Sequence, residues 1–286
     1  MTTTRRPGPS RRVRVHEVTP EARREREDRL ATEEPLEIRL TWPGRPAERL
    51  TVTMRTPGHD FELAAGFLFG EGLIDGGDHL DTVAYCTDNT LTPQQEFNVV
   101  TATLRRPPLR DPSGRYDGPT AGSSACGVCG KQSVEEVLGA AAAPEGAGST
   151  RPTVPAEVIS ALPERLRAAQ KVFSRTGGLH AAALFDVSGE PVVVREDIGR
   201  HNAVDKVVGS RVLGGLDADL AVLCVSGRIG FELAQKAVAA GVGVIAAVGA
   251  PSSLAVELAE QAGLCTVGFV RDDRFVVYTE PGRIGV

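Results

Sequence analysis

The chain has 286 residues and no apolar run near the length of a membrane-spanning helix, so no membrane role is expected of it. Cysteine is scarce and odd in number: five residues do not make a disulfide framework. Free thiols survive best in a reducing compartment, which points to the cytoplasm. Arg5-Arg6 invites a twin-arginine reading, but the apolar core that such a signal needs does not follow it. A formal net charge of −5 argues against general nucleic-acid binding. The arginines at 23, 24, 26 and 29 are interleaved with Glu21, Glu25, Glu27 and Asp28, the pattern of a solvated charged face. No internal repeat stands out.

Against that background one segment is rich in chemistry: Gly122-Ser-Ser-Ala-Cys126-Gly-Val-Cys129-Gly-Lys131. The thiolate is the reactive form of cysteine, and it is favoured by exposure, a nearby cation or backbone N–H groups aimed at sulfur. Lys131 and the start of a helix expected over Lys131–Leu138 supply a positive charge and a helix N-terminus beside Cys129. The glycines leave little bulk around either sulfur and let the loop move. A closed zinc site takes four ligands, and no second Cys-x-x-Cys is present. Cys224 and Cys265 sit in apolar runs where a lone cysteine is a small buried hydrophobe. Thioredoxin-type exchange places its pair at a helix start directly after a strand, whereas here a Pro-, Gly- and Asp-rich stretch, 106–118, precedes it. A sulfur carrier, with one thiolate holding a sulfane sulfur as persulfide, is the reading left standing.

With 41% hydrophobic residues the chain can build one large or two modest cores. Residues 1–12 read as a disordered basic tail. A smaller N-terminal α+β domain is expected over 13–112, with strands at 36–41, 49–54, 82–87 and 96–104 and a helix over 60–69. The cysteine loop occupies 113–131, and a short helix and an Ala/Gly-rich linker occupy 132–154. Pro155 then opens a helix. From 155 to 286 strands alternate with helices in an α/β layer pattern. Strands are expected at 179–186, 191–195, 219–225, 242–248, 265–270 and 274–279, and helices at 201–213, 230–241 and 252–262.

Several turns of this second domain suit anions. Ser226-Gly227-Arg228-Ile-Gly230 follows a strand and precedes a helix, so N–H groups, a helix dipole and a guanidinium converge. Gly249–Ser253 repeats the arrangement, with ordinary helix capping by Ser252 or Ser253 as the favoured explanation. Arg175, Gly177, Gly178 and His180 form a polar cluster before a strand. Arg195–Lys206 forms another, with Arg200, His201 and Asn202 at its centre and Asn202, Asp205 and Lys206 near one helix face. The crowding of arginine, histidine and asparagine there favours a functional site over a salt-bridged cap. Near the C-terminus Phe269-Val270-Arg271-Asp272-Asp273-Arg274 reads as a hairpin turn.

Taken together, Ser-Ala-Cys126-Gly-Val-Cys129-Gly, Arg175–His180, Glu196–Lys206, Val225–Arg228 and Gly268–Arg271 resemble the FdhD family of formate dehydrogenase accessory sulfurtransferases, in the family's order over about 13–286. The resemblance implies a carrier that takes sulfur from a cysteine desulfurase and passes it to the bis(molybdopterin guanine dinucleotide) molybdenum cofactor required by formate dehydrogenase, its client. Cys126 matches the persulfide-bearing cysteine, Cys129 its partner, and Phe269–Arg274 the cofactor-binding segment. Asp272 and Asp273 repel phosphate, so contact there is expected through backbone N–H groups and Arg271 or Arg274. The resemblance also implies a homodimer, a GDP- or GMP-like nucleotide as a cofactor mimic, no metal of the protein's own, and a C-terminal domain resembling the cytidine deaminase fold. Deamination itself is disfavoured, because a zinc deaminase needs a His/Cys-x-Glu element ahead of its Cys-x-x-Cys, and Ala125 precedes Cys126 with no such Glu after His180. A non-catalytic cofactor chaperone and a thiol–disulfide oxidoreductase are the alternatives.

Overall fold

The computed structural model describes residues 6–87, 91–92, 95–112, 153–215 and 222–285. Cys126, Cys129, the helix expected after them and the Ala/Gly linker lie outside the described residues.

The chain opens with a ribbon that the sequence reading missed. Strands β1 (Ser10–Val18) and β2 (Arg23–Ala31) pair antiparallel in unbroken register from Ser10↔Ala31 to Val18↔Arg23. The expected tail over 1–12 is therefore corrected, since Ser10, Arg11 and Arg12 already belong to a strand. The alternating charges that suggested a solvated face become cross-strand pairs, Arg12–Glu27 at 3.1 Å, Arg14–Glu25 at 3.7 Å and Arg26–Glu17 at 3.1 Å. Exposed pairs of this kind add little stability. Thr19 closes the turn by accepting the Ala22 N–H at 3.1 Å.

Next comes a four-stranded sheet in the order β4-β3-β6-β5, formed by β3 (Glu34–Trp42), β4 (Arg45–Arg55), β5 (Leu80–Tyr85) and β6 (Val99–Leu104). One face takes Leu36, Ile38, Leu40, Val100, Ala102 and Leu104 into a core with helix α1 (Asp60–Gly70). That helix is apolar nearly all round, as a helix buried on more than one side must be. It packs on the four-stranded sheet and also on the second half of the chain.

The second half is a three-layer α/β/α sandwich. Its six-stranded sheet has the order β13-β12-β11-β10-β8-β9, built from β8 (His180–Phe185), β9 (Pro191–Asp197), β10 (Val222–Val225), β11 (Val244–Ala247), β12 (Cys265–Arg271) and β13 (Arg274–Thr279). Alternate residues feed opposite faces. Ala182, Leu184, Leu223, Val225, Ile245 and Ala247 meet helices α4 (Arg200–Gly214), α5 (Phe231–Ala239) and α6 (Ser253–Ala262). Ala181, Ala183, Phe185, Val222, Cys224 and Val244 meet helix α2 (Ala156–Ala169). Strands covered on both faces read as continuous apolar runs, which is why Val222–Val225 and Val244–Ala247 are so plain in the sequence. A one-turn helix α3 (Phe173–Thr176) precedes β8, and two short strands, β7 (Val154–Pro155) and β14 (Ile284–Gly285), pair beside α2. Cys224 and Cys265 are fully buried, and burial pushes each thiol up to about 12, so both are inert packing residues.

Two devices join the halves. Helices α1 and α4 cross with Gly66 and Gly209 face to face; a Cβ at Gly66 would overlap the Asp205 carbonyl, and one at Gly209 the Glu62 carbonyl. Around the crossing lies a buried polar network. Lys206 stands 2.6 Å from Asp197 and donates to the Thr56 carbonyl at 2.8 Å, while Asp197 also accepts the Thr56 N–H at 3.1 Å. Arg195 forms a fork on Glu62 at 2.5 and 2.7 Å, and Lys236 pairs with Asp205 at 2.5 Å. Burial works against the Lys236 ammonium, but Asp205 and Glu71 outweigh it and hold its pKa above the ordinary value.

Candidate functional site

Strand directions decide where the polar turns go. β10, β11 and β12 are parallel, so their carboxyl ends share one edge of the sheet; β8 is antiparallel to β10 and begins there; β9 is antiparallel to β8 and ends there. The segments 177–180, 197–201, 226–230, 248–252 and 269–273 thus converge on a single edge. In open α/β sheets the crevice outside the carboxyl ends of the strands is the usual place for a ligand.

The turns are stitched together beyond the strands. The Gly249 N–H donates to the Gly227 carbonyl at 3.0 Å, and the Phe269 N–H to the Gly249 carbonyl at 3.1 Å. A side chain at Gly249 would come within 2.9 Å of the Gly227 carbonyl, so this close approach requires glycine. Phe269 and Asp272 both hold positive φ, 53° and 47°, a conformation costly for non-glycine residues and concentrated at functional segments.

Two adjoining clefts open on the α2 side of this edge. The smaller, about 550 Å³, is walled by Leu166, Phe173, Leu179 and Ile198, with Gly177, Gly178, His180 and Ser226 on its polar side. The larger, about 1130 Å³, is lined by Val270, Arg271, Asp272, Asp273 and Phe275 together with residues of α2. Pro163, Arg167 and Val248 belong to both. The Ser226 hydroxyl oxygen accepts the Ala181 N–H at 2.9 Å, which fixes the turn and leaves its proton available to the cleft.

His180 is half-buried; burial and then the neighbouring Arg200 lower its pKa, against an opposing pull from Asp197, which favours a neutral imidazole at the cleft wall. Arg200 contributes a buried Nε with no hydrogen-bond partner. Among the described residues no carboxylate lies within ion-pair distance of Arg167, Arg175, Arg200, Arg228 or Arg271, in contrast to the paired Arg55 and Arg195. Such a set can hold an anion. Among the described residues no cluster of His, Cys, Asp and Glu is arranged to hold a metal ion.

The residues singled out from sequence fall into three groups. Gly177, Gly178, His180, Ser226, Val270, Arg271, Asp272 and Asp273 line the clefts. Arg175, Arg200, Gly227, Arg228, Phe269 and Arg274 belong to the same edge without lining either cleft; Arg200 and Gly227 are half-buried and the other four exposed. His201 and Asn202 turn inward: the His201 ring stands 3.0 Å from Glu232, and the Asn202 amide donates to the Met54 carbonyl at 2.7 Å and to Asp197 at 3.1 Å. Much of the polar crowding in 195–206 therefore serves the joint between the halves.

Sequence reading missed Arg167 and Phe173. The Arg167 guanidinium lies over the Phe173 ring, 4.2 Å from its centroid. Glu196 in turn accepts the Val172 and Phe173 N–H groups at 2.9 and 2.7 Å, fixing the ring's backbone. The available signal was Pro155, which announced α2 but not where its last turn would sit.

Comparison with known proteins shows the family and the fold. A family model described as the FdhD/NarQ family matches residues 31–285. A "Sulfur carrier protein FdhD" of Streptomyces coelicolor is 50% identical over 264 residues, covering 91% of this chain and 90% of that one. The protein of the same name from Mycobacterium tuberculosis is 48% identical over 263 residues, covering 91% and 92%. A crystal structure assigned to a formate dehydrogenase accessory protein of Desulfotalea psychrophila superposes with a TM-score of 0.72 over 96% of this chain and 99% of that one; at 24% identity the likeness is one of fold.

Proposed function

We propose a function from one premise: this chain belongs to the FdhD/NarQ family. In this reading the protein is a sulfurtransferase that takes sulfur from a cysteine desulfurase as a persulfide on Cys126 and delivers it to the bis(molybdopterin guanine dinucleotide) molybdenum cofactor destined for formate dehydrogenase. The observation that carries it is near-50% identity, along nine-tenths of both chains, to proteins named sulfur carriers.

The Cys126 thiolate attacks the terminal sulfur of the donor persulfide, the donor's S–S bond breaks, and the desulfurase thiolate leaves. Release of that sulfur as sulfide needs two electrons. Cys129 supplies them if its thiolate attacks the Cys126 sulfur and closes a disulfide; if it only tunes its neighbour, the acceptor supplies them. The cofactor is a substrate held at the sheet edge, where the unpaired arginines and the two clefts suit an elongated anionic molecule with planar rings. The homodimer, the cytoplasmic setting, the two-domain layout with its cysteine loop, and the cytidine deaminase-like scaffold belong to the same proposal.

Intact mass spectrometry after incubation with desulfurase and cysteine tests it. A gain of one sulfur that reductant removes and Cys126→Ala abolishes is the expected result. Wild-type protein that binds nucleotide but gains no sulfur would support a cofactor chaperone instead. Protein-disulfide exchange that needs both cysteines, without any sulfur gain, would indicate an oxidoreductase.

A further inference from the structure

The charges lining the two clefts are unevenly placed. The smaller cleft is mostly apolar, and among the described residues that line it Arg167 alone carries a full charge. The larger cleft holds Arg167 and Arg271 against four carboxylates, Glu157, Glu164, Asp272 and Asp273. A phosphate moving into the larger cleft meets repulsion on most sides, whereas one lying between the clefts meets a guanidinium.

That guanidinium is held ready by the fold. Leu166 points into the core beneath the sheet and so turns its neighbour Arg167 toward the edge. The Phe173 ring then supports the guanidinium plane, and Glu196 anchors the Phe173 backbone through two N–H bonds. Stacking on an aromatic face leaves the N–H edge of a guanidinium free for a phosphate, and a pre-placed fork loses little freedom on binding.

We propose that Arg167, seated on Phe173, is the phosphate-reading residue of the groove: a planar heterocycle occupies the smaller, apolar-walled cleft, and its phosphate chain passes under Arg167 toward the larger one. This rests on the reading of the groove as the cofactor site and names which part of the molecule each cleft takes. Arg271 then holds the far end of the chain, and the carboxylates around it keep the phosphates from sliding deeper.

Calorimetric titration of the full-length protein with GDP and with guanosine tests the assignment. Arg167→Ala is expected to weaken GDP about tenfold or more, the ordinary loss for a charge-assisted bond, and to change guanosine by less than about twofold. Arg167→Lys should recover part of the GDP affinity, because the charge remains while the stacked fork is lost. Equal losses for GDP and guanosine, unchanged GDP binding in Arg167→Ala, or no GDP binding by wild type would each overturn it. If Arg167→Ala folds poorly by circular dichroism, Arg167→Gln carries the same comparison. Sulfur loading of Cys126 by desulfurase, measured on the same preparations, is independent of Arg167, so its failure would count against the carrier reading and not against this one.

Discussion

Glu62 sits on α1, yet its carboxylate partners are Arg195, 133 residues further along the chain, and His59, one turn before it. Burial raises the pKa of this carboxyl, but the Arg195 fork and His59 outweigh burial and bring it to about 2, from an ordinary value of 4.5. A depressed carboxyl stabilises the fold fully above its unfolded value and loses that contribution as pH falls toward its folded one. Stability should therefore decline between about pH 4.5 and pH 2 in part through this group, and urea titrations across that window should show a shallower pH slope in Glu62→Gln. An unchanged slope would mean that the pair does not span the joint in solution. No local signal in the sequence announced this partnership, because the two residues meet only after both halves have folded. The same holds for Asp197, Asn202 and Lys206. Their polarity was visible and suggested a ligand site, but their partners, Met54 and Thr56, lie about 150 residues earlier. His180 and Ser226 were legible for the opposite reason: a short polar turn at a strand end stays at the sheet edge whatever the rest of the chain does.

At the scale of elements, periodicity located the secondary structure of both cores to within a few residues, since alternating or continuous apolar runs dictate strands, and α1, α4, α5 and α6 were plain. The β1–β2 ribbon escaped because, among the described residues, it adds nothing to the buried cores: β2 is a run of charges that looks the same in a solvated loop, and β1 carries only Val13 and Val15 in alternation with arginine, both half-buried. The crossing of α1 and α4 was equally hidden. Gly66 and Gly209 are ordinary mid-helix glycines in the sequence, and their role is set by how near the two backbones come. Replacing Gly66 by Ala inserts a methyl group where Asp205 backbone stands, an overpacking that backbone shifts relieve at a cost of about 1–3 kcal/mol or more. Helix propensity pulls the other way by about 1 kcal/mol. Net destabilisation of Gly66→Ala in chemical unfolding is the expected outcome; a variant as stable as wild type or more so would show that the helices do not approach this closely.

For the molecule as a whole, the joint and the groove are different parts of one design. Helix α4 starts at the sheet edge with Arg200 and His201, and its middle packs against α1 through Gly209, so the N-terminal half is rigidly coupled to the element that begins at the groove. The chain's remaining chemistry, Cys126 and Cys129, connects the two halves in sequence and in our proposal works against the groove. The central claim is that sulfur on Cys126 is cargo bound for the enzyme's cofactor. It is tested most directly by loading the protein with radiolabelled sulfur through a desulfurase, removing the donor, and adding inactive formate dehydrogenase that carries unsulfurated cofactor. Label should leave this protein and appear in the dehydrogenase in step with formate oxidation, and Cys126→Ser should support neither. Formate oxidation restored by Cys126→Ser, or label that stays on the wild-type carrier while activity returns, would contradict the account.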